Sequence, residues 1–411
     1  MRFLAIFLWF LVFSKAFCVD PGVDVFFNEG FVKELKGLRV AVLTNQSGVD
    51  KNLTPTAERF KREAKDFTVM AFFTPEHGLN GSYYAGSKVE DGKDKEGIPV
   101  YSLHGNLRRP TAEMLSCIDV IVYDIQSIGN RPYTYISTLC YVMEEAAKRN
   151  IKVIILDRPN PLGGLIVDGP MLDPAIRSFI GYINIPYCHG MTIGEIARFF
   201  NAEYKVGCNL QVIPMRGWER RMSFGDTGLA WVPPSPNIPE SDTPFFCLST
   251  GLIGELSLVN IGIGYTQPFK LVGAPWIDAE AFALALNRQK LPGVHFLPYH
   301  FRPFYGLYQG EDCHGIKIII ANKKVYRPAS VQFLIMGMLK SLYPREVKER
   351  LTQNSASIDL FIKACGTAKI LQIWQSERYP AWKLLRVDAA ERAAFMMKRQ
   401  KYLIPEYAGN N

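Results

Sequence analysis

No glycine-rich fingerprint follows any strand-like stretch of this chain. The first such turn, Thr44 to Gly48, has a single glycine where a dinucleotide pyrophosphate needs several. No phosphate-cradling loop is present either, and Gly262-Ile263-Gly264 stands alone late in the sequence. No nucleotide or other cofactor is therefore expected. The eight cysteines show no paired spacing, which excludes a zinc-ribbon or zinc-finger site. With Cys18 removed, seven remain, room for one or two disulfides and at least one free thiol. There are only six histidines, and His77, His104 and His189 never share a helix at turn spacing, so no metal is expected. Like-charge blocks are missing as well. The net charge of +8 is spread over small pairs such as Lys61-Arg62, Arg108-Arg109 and Arg220-Arg221. Without a basic stripe interleaved with aromatics, nucleic acid is not the expected partner, whereas an anionic polymer suits the mild excess.

Long apolar runs are scarce too. The one at residues 3–13 is too short to span a bilayer comfortably. It follows Arg2 and precedes the small residues Ser14, Ala16 and Cys18, the pattern of a secretory signal over residues 1–18. A periplasmic or secreted protein is expected, with no integral membrane span once the signal is removed. The bulky Phe17 argues against a lipid anchor on Cys18.

What the chain does have is a hydrophobic fraction of 48% over 411 residues, enough for two cores. Buried-strand runs at 38–44, 67–73, 100–103, 118–125 and 151–156 alternate with helical patterns at 55–65, from 111, at 135–149 and at 192–204. Such alternation predicts an α/β fold, a Rossmann-like parallel sheet covered on both faces, over residues 19–235. The densest proline segment, Val232 to Pro239, reads as a linker or as a rigid wall. Beyond it, helices at 278–288, 330–343 and 387–400 and a strand at 315–321 predict a smaller α+β domain over residues 236–411.

Four of the strand runs end in polar clusters: Asn45-Gln46-Ser47, Glu76-His77, Asp124-Ile125-Gln126 and Asp157-Arg158-Pro159-Asn160. Ligands of open α/β sheets bind outside the carboxyl ends of the strands, so one shared cleft is expected there. Glu76 is the first candidate for a proton donor, its carboxyl raised by aromatic walls. Glycoside hydrolysis needs a second carboxyl, and Glu255, Asp124 and Asp157 are the candidates. Glu255 lies between apolar residues, so burial should perturb it. Each of the three has an equally plain structural role, capping a turn or tying down backbone amides. Arg131 with Tyr133, and Arg158, are placed to grip a substrate carboxylate or, alternatively, to clamp loops. Trp218, Trp231 and Trp276 either stack on sugars or fill the core.

Phe73-Thr74-Pro75-Glu76-His77-Gly78 resembles the signature of bacterial exo-β-N-acetylmuramidases, a family long catalogued as a domain of unknown function. So do Tyr133-Thr134-Tyr135-Ile136-Ser137-Thr138, Asp157-Arg158-Pro159-Asn160-Pro161-Leu162-Gly163-Gly164, His189-Gly190-Met191-Thr192 and Trp231-Val232-Pro233-Pro234-Ser235-Pro236-Asn237. The resemblance runs in order from about Gly22 to the C-terminus. It implies a secreted or periplasmic hydrolase that removes terminal N-acetylmuramic acid from the non-reducing end of peptidoglycan fragments, with Glu76 and Glu255 catalytic and the cleft between two domains as active site. Asn45, Gln46, His77, Asp124, Gln126, Arg131, Tyr133, Asp157, Arg158 and Asn160 are the residues expected to bind the saccharide. The chain departs from the family pattern at Ile261-Gly262-Ile263-Gly264-Tyr265, where Glu-Gly-Arg-Gly-Thr is common, and at Ser127, Asn130 and Pro132. Those departures keep a second reading open, a peptidoglycan-binding protein without catalysis.

Overall fold

A computed structural model describes residues 18–353 and 355–409. Apart from Cys18, the expected signal segment lies outside the described residues. Seven strands form the main sheet: β1 (Arg39–Thr44), β2 (Thr68–Thr74), β3 (Gly92–Lys93), β4 (Pro99–Ser102), β5 (Val120–Asp124), β6 (Lys152–Leu156) and β7 (Leu210–Ile213). Their order is β3-β4-β2-β1-β5-β6-β7. All pairings are parallel except that of the two-residue β3 with β4. Taken among themselves, the six parallel strands run 3-2-1-4-5-6, the doubly wound order, whose switch point falls between β1 and β5.

Period-two alternation sends successive side chains to opposite faces. Val40, Val42, Phe72, Val122 and Ile154 pack with Phe26 and Phe60 of the helices Gly22–Asn28 and Thr56–Glu63. Ala41, Leu43, Phe73, Ile121 and Ile155 pack on the other side, against the helices Tyr135–Ala147 and Ile193–Glu203. The first of these presents Ile136, Leu139, Cys140 and Met143, one face of a 3.6-residue repeat. The second starts at a capping box, Thr192 with Glu195. Both faces of the sheet are therefore covered.

The second sheet is antiparallel, in the order β8 (Leu271–Ala274), β10 (Cys313–Ile320), β9 (Val294–Phe301). Only β10 is legible as a strand in the sequence. Pro298 interrupts the β9 pattern, but β9 is an edge strand, where a missing donor costs no ladder bond. The helices Thr243–Glu255, Ala279–Asn287 and Pro328–Leu342 build the core of this part. That core also takes in Ile128, Leu162, Tyr187 and Cys188 from loops of the first sheet. The chain end returns the other way: Phe395 and Tyr402 join the core under the main sheet, and Tyr407 meets Trp218 edge to face at 5.0 Å. All eight cysteines are free thiols, so the room for disulfides is not used. Among the described residues no helix is long and apolar enough to cross a membrane.

Candidate active site

β2 stops where Pro75 removes a backbone donor. His77 and Gly78 then both turn with positive φ, +73° and +77°, and the His77 Nδ1 is 2.7 Å from the Tyr83 carbonyl. This turn aims Glu76 and His77 into a cleft of about 440 Å³ between the two sheets. Tyr133, Thr134 and Asn130 line it from the side of the seven-stranded sheet, Glu255, Ile261, Ile263 and Phe269 from the side of the three-stranded sheet. Ser235, Pro236, Asn237 and Ile238 form a further side. The proline segment is thus a wall, held by Gln46 Nε2 donating to the carbonyls of Pro233 (2.9 Å) and Pro234 (3.1 Å), and by Tyr135 Oη donating to Pro234 (2.5 Å).

The two glutamates meet opposite environments. Glu76 Oε1 accepts from the Gly86 N–H at 2.8 Å and lies 3.7 Å from His104 Nε2, while Oε2 accepts from Thr134 Oγ1 at 2.7 Å. Thr134 directly precedes the helix Tyr135–Ala147 and makes no side-chain capping bond to it, so its hydroxyl is free for Glu76 near the helix's positive end, which favours a carboxylate. Burial pushes the Glu76 carboxyl up, but the Gly86 N–H, His104, Thr134 and His77 outweigh it and hold it below the ordinary value. The expected rise does not occur, because donors converge on the group as closely as apolar walls do. Glu255 is the last residue of the helix Thr243–Glu255, at its negative end. It makes no hydrogen bond or ion pair within the described residues, and burial raises its carboxyl, as its apolar neighbours predict. Two carboxyls whose environments push their protonation apart are the mark of an acid and base pair.

The remaining strand-end residues do not reach this cleft. Asp124 is fully buried, bonded to Arg158 Nε (2.5 Å) and Nη2 (2.8 Å) and to the Thr56 hydroxyl. Arg158 spends its other contact on the Val49 carbonyl at 2.6 Å. Asp157 caps the helix Ile193–Glu203, accepting from Gly194 N (2.9 Å), Thr192 Oγ1 (2.7 Å) and Tyr407 Oη (2.8 Å); burial raises it to about 7. Asn45 accepts from Ser47 and donates to Tyr135 Oη, Gln126 donates to the Ser127 and Pro159 carbonyls, and Asn160 donates to Met191 while accepting from Leu162 N. Two crevices among these residues measure about 10 Å³ each, room for a water and not for a sugar. The expectation of one cleft shared by four strand ends is corrected accordingly: three ends bond to the protein itself, and only the β2 end is open.

Arg131 is likewise internal. It donates to the carbonyls of Pro170, Ile185, Ala364 and Cys365 at 2.6–3.2 Å, and burial lowers it to about 10. It clamps the loops at 170 and 185 to the chain at 364–365, and every one of these partners is a backbone carbonyl. His189 is buried, bonded to Met191 N, and lowered by burial to about 3. Among the described residues no three His, Cys, Asp or Glu side chains gather around a metal position. Trp218 is core, Trp231 donates to the Ile238 carbonyl and Trp276 to Tyr308, and none of the three lines the cleft. Sequence reasoning missed Thr134 and the Gly86 N–H as partners of Glu76. A threonine one residue before a helix was a usable signal for a carboxylate site. Asn130, singled out in the sequence only as a departure from the family pattern, lines the cleft, and its buried Oδ1 has no hydrogen-bond partner among the described residues.

Comparison with known proteins agrees with the motifs. The N-terminal profile of the exo-β-N-acetylmuramidase NamZ family matches residues 40–242, and the C-terminal profile matches residues 246–404. The peptidoglycan β-N-acetylmuramidase NamZ of Bacillus subtilis (strain 168) is 40% identical over 329 residues, 80% of this chain and 79% of that protein. A crystal structure of a DUF1343 family protein from Bacteroides fragilis NCTC 9343 superposes with a TM-score of 0.87 at 38% identity, covering 94% of this chain and 99% of that one. A second DUF1343 protein of the same organism gives 0.72 at 25% identity, covering 95% and 99%. By profile, sequence identity and fold, the chain belongs to the exo-β-N-acetylmuramidase NamZ family.

Proposed function

We propose that this chain is an exo-acting β-N-acetylmuramidase, a glycoside hydrolase that releases terminal N-acetylmuramic acid from the non-reducing end of peptidoglycan fragments. The observation that carries the reading is the pair of glutamates on one cleft, at the positive end of one helix and the negative end of another. Glu255, protonated, donates to the leaving glycosidic oxygen. Glu76, ionised, meets the positive charge that develops at the anomeric carbon and activates the attacking water. This exchanges the roles that strand position alone suggested. His77 and Tyr133 contact the bound sugar, and the buried Asn130 Oδ1 is an acceptor for its acetamide N–H. Ile261 and Ile263 also line the cleft, and they are what a non-catalytic peptidoglycan binder would draw on.

The test is incubation with a defined muramyl-glucosaminyl disaccharide. Release of the muramyl sugar is expected. Tight binding with no release would overturn the reading in favour of the binder. The leader pattern at residues 1–18 supports export to the periplasm or medium, and a role in cell-wall recycling follows from the substrate. Amino-terminal sequencing of the exported protein checks the leader, with a start at or shortly after Ala16 expected.

A further inference from the structure

We propose that Tyr84, Phe304 and Tyr305 form an aromatic platform at the mouth of the cleft, on which the saccharide beyond the scissile bond stacks. The ligand class is a β-linked N-acetylhexosamine chain, and the proposal rests on the glycosidase reading above. The cleft, at about 440 Å³, is near the lower end of the roughly 300–1,000 Å³ of small-molecule sites. An exo-acting enzyme fills it with the terminal sugar, so the rest of the fragment must leave over the rim.

Three large aromatic side chains are exposed on loops that lead into the lining: Tyr84 at 81%, Phe304 at 66% and Tyr305 at 57%. Exposed aromatic area of this kind, bordering a cleft, marks an interaction site. Tyr84 adjoins Ala85, which lines the cleft, and Gly86, which donates to Glu76. Phe304 and Tyr305 precede Leu307, which lines the cleft from the opposite domain. Exposed Tyr379 and Trp382 lie instead on a C-terminal stretch, 369–399, that contributes nothing to the lining.

The Phe304 side of the platform is held rigid. Phe304 N donates to the Gly264 carbonyl at 2.7 Å. Asn260 Nδ2 donates to the carbonyls of Leu307 (2.9 Å) and Ile263 (3.0 Å), tying the loop to the cleft wall. Gly264 has φ +85°, and a Cβ there would run into the Tyr305 carbonyl, so only glycine lets the two loops meet. The Phe304 ring stacks on Tyr265 at 5.7 Å and 22°. Aromatic faces fixed in this way offer contact area at little ordering cost.

The test compares a β-muramyl fluoride, which has no saccharide on the leaving side, with the disaccharide and a tetrasaccharide. In the wild type KM should fall as the fragment lengthens. Tyr84→Ala, Phe304→Ala and Tyr305→Ala should each cut the ratio of tetrasaccharide to fluoride kcat/KM by about three- to tenfold, the value of one aromatic contact. Phe304→Trp should restore the ratio and separates stacking from support of Tyr265. A ratio that stays at the wild-type value in all three alanine variants would overturn the proposal. If no glycoside is hydrolysed, the glycosidase reading fails, and calorimetric binding of an N-acetylglucosamine tetramer still tests the platform. Weaker binding by the variants supports it, and equal binding overturns it.

Discussion

Glu76 and Asp124 leave the carboxyl ends of strands that flank the same neighbour, β1, yet they meet opposite fates. Asp124 points into the doubly wound switch point, where such folds usually bind a ligand. There Arg158 and Thr56 satisfy it, and the Pro233-Pro234 wall closes over the region through Gln46 and Tyr135. Glu76 points one strand further out, past that wall, into a cleft completed by Glu255, Ile261, Ile263 and Phe269. A polar strand end becomes a site only where something else leaves it uncovered. A buried, fully bonded charge is part of the protein's own stability, and an uncovered one is free for chemistry.

Removing one side chain or the other should separate the two regions. Glu76→Gln should cost turnover on the disaccharide about 10²–10⁴-fold, the range for an acid or base group, with the unfolding midpoint close to wild type. Asp124→Ala should do the reverse. It leaves the buried Arg158 guanidinium unpaired, a loss of about 3–5 kcal/mol in chemical unfolding. A destabilised Glu76→Gln, or an Asp124→Ala of full stability, would merge the two regions again.

Two smaller effects sharpen the contrast. Thr134→Val removes a charge-assisted bond to Glu76 worth about 1.5–3 kcal/mol. The Glu76 carboxyl lies below its ordinary value, so it loses activity as pH falls through that lowered value. Removing the donor raises it, and the acid limb of the pH–rate profile should move up by about one pH unit or more. Asp157, raised by burial to about 7, has the opposite sign. Its stabilisation is complete below the ordinary aspartate value of about 3.9 and is lost as pH rises through about 7. Melting temperatures should therefore decline over that window, and Asp157→Asn should flatten the slope.

Much of this was legible in the sequence. β1, β2, β5 and β6 are apolar runs buried on both faces, and the helices behind them repeat at 3.6 residues. β7 is a short, half-buried edge strand, and β9 carries Pro298, so neither shows a clean period. The motifs identified Glu76, His77, Tyr133 and Glu255, which all line the cleft. They did not separate these from Asp124, Arg131, Asp157 and Arg158, because residue type at a strand end does not tell what covers it. The contacts of Arg131 with Ala364 and Cys365 span more than 230 positions, a pairing no local pattern contains. The protonation of Glu76 depends on the Gly86 amide and Thr134, one in a glycine-punctuated loop and the other on a distant helix.

In the proposed reaction the Gly86 N–H, His104 and Thr134 favour the ionised form of Glu76, burial favours the protonated form of Glu255, and the pair divides the chemistry. Turnover of Glu255→Gln on two substrates probes this division, the disaccharide and a 4-nitrophenyl β-N-acetylmuraminide whose leaving group needs no proton. A division of this kind requires a loss of about 10²-fold or more on the disaccharide and near wild-type turnover on the nitrophenyl glycoside. Equal loss on both substrates, or that substrate-dependent pattern in Glu76→Gln instead, would contradict it.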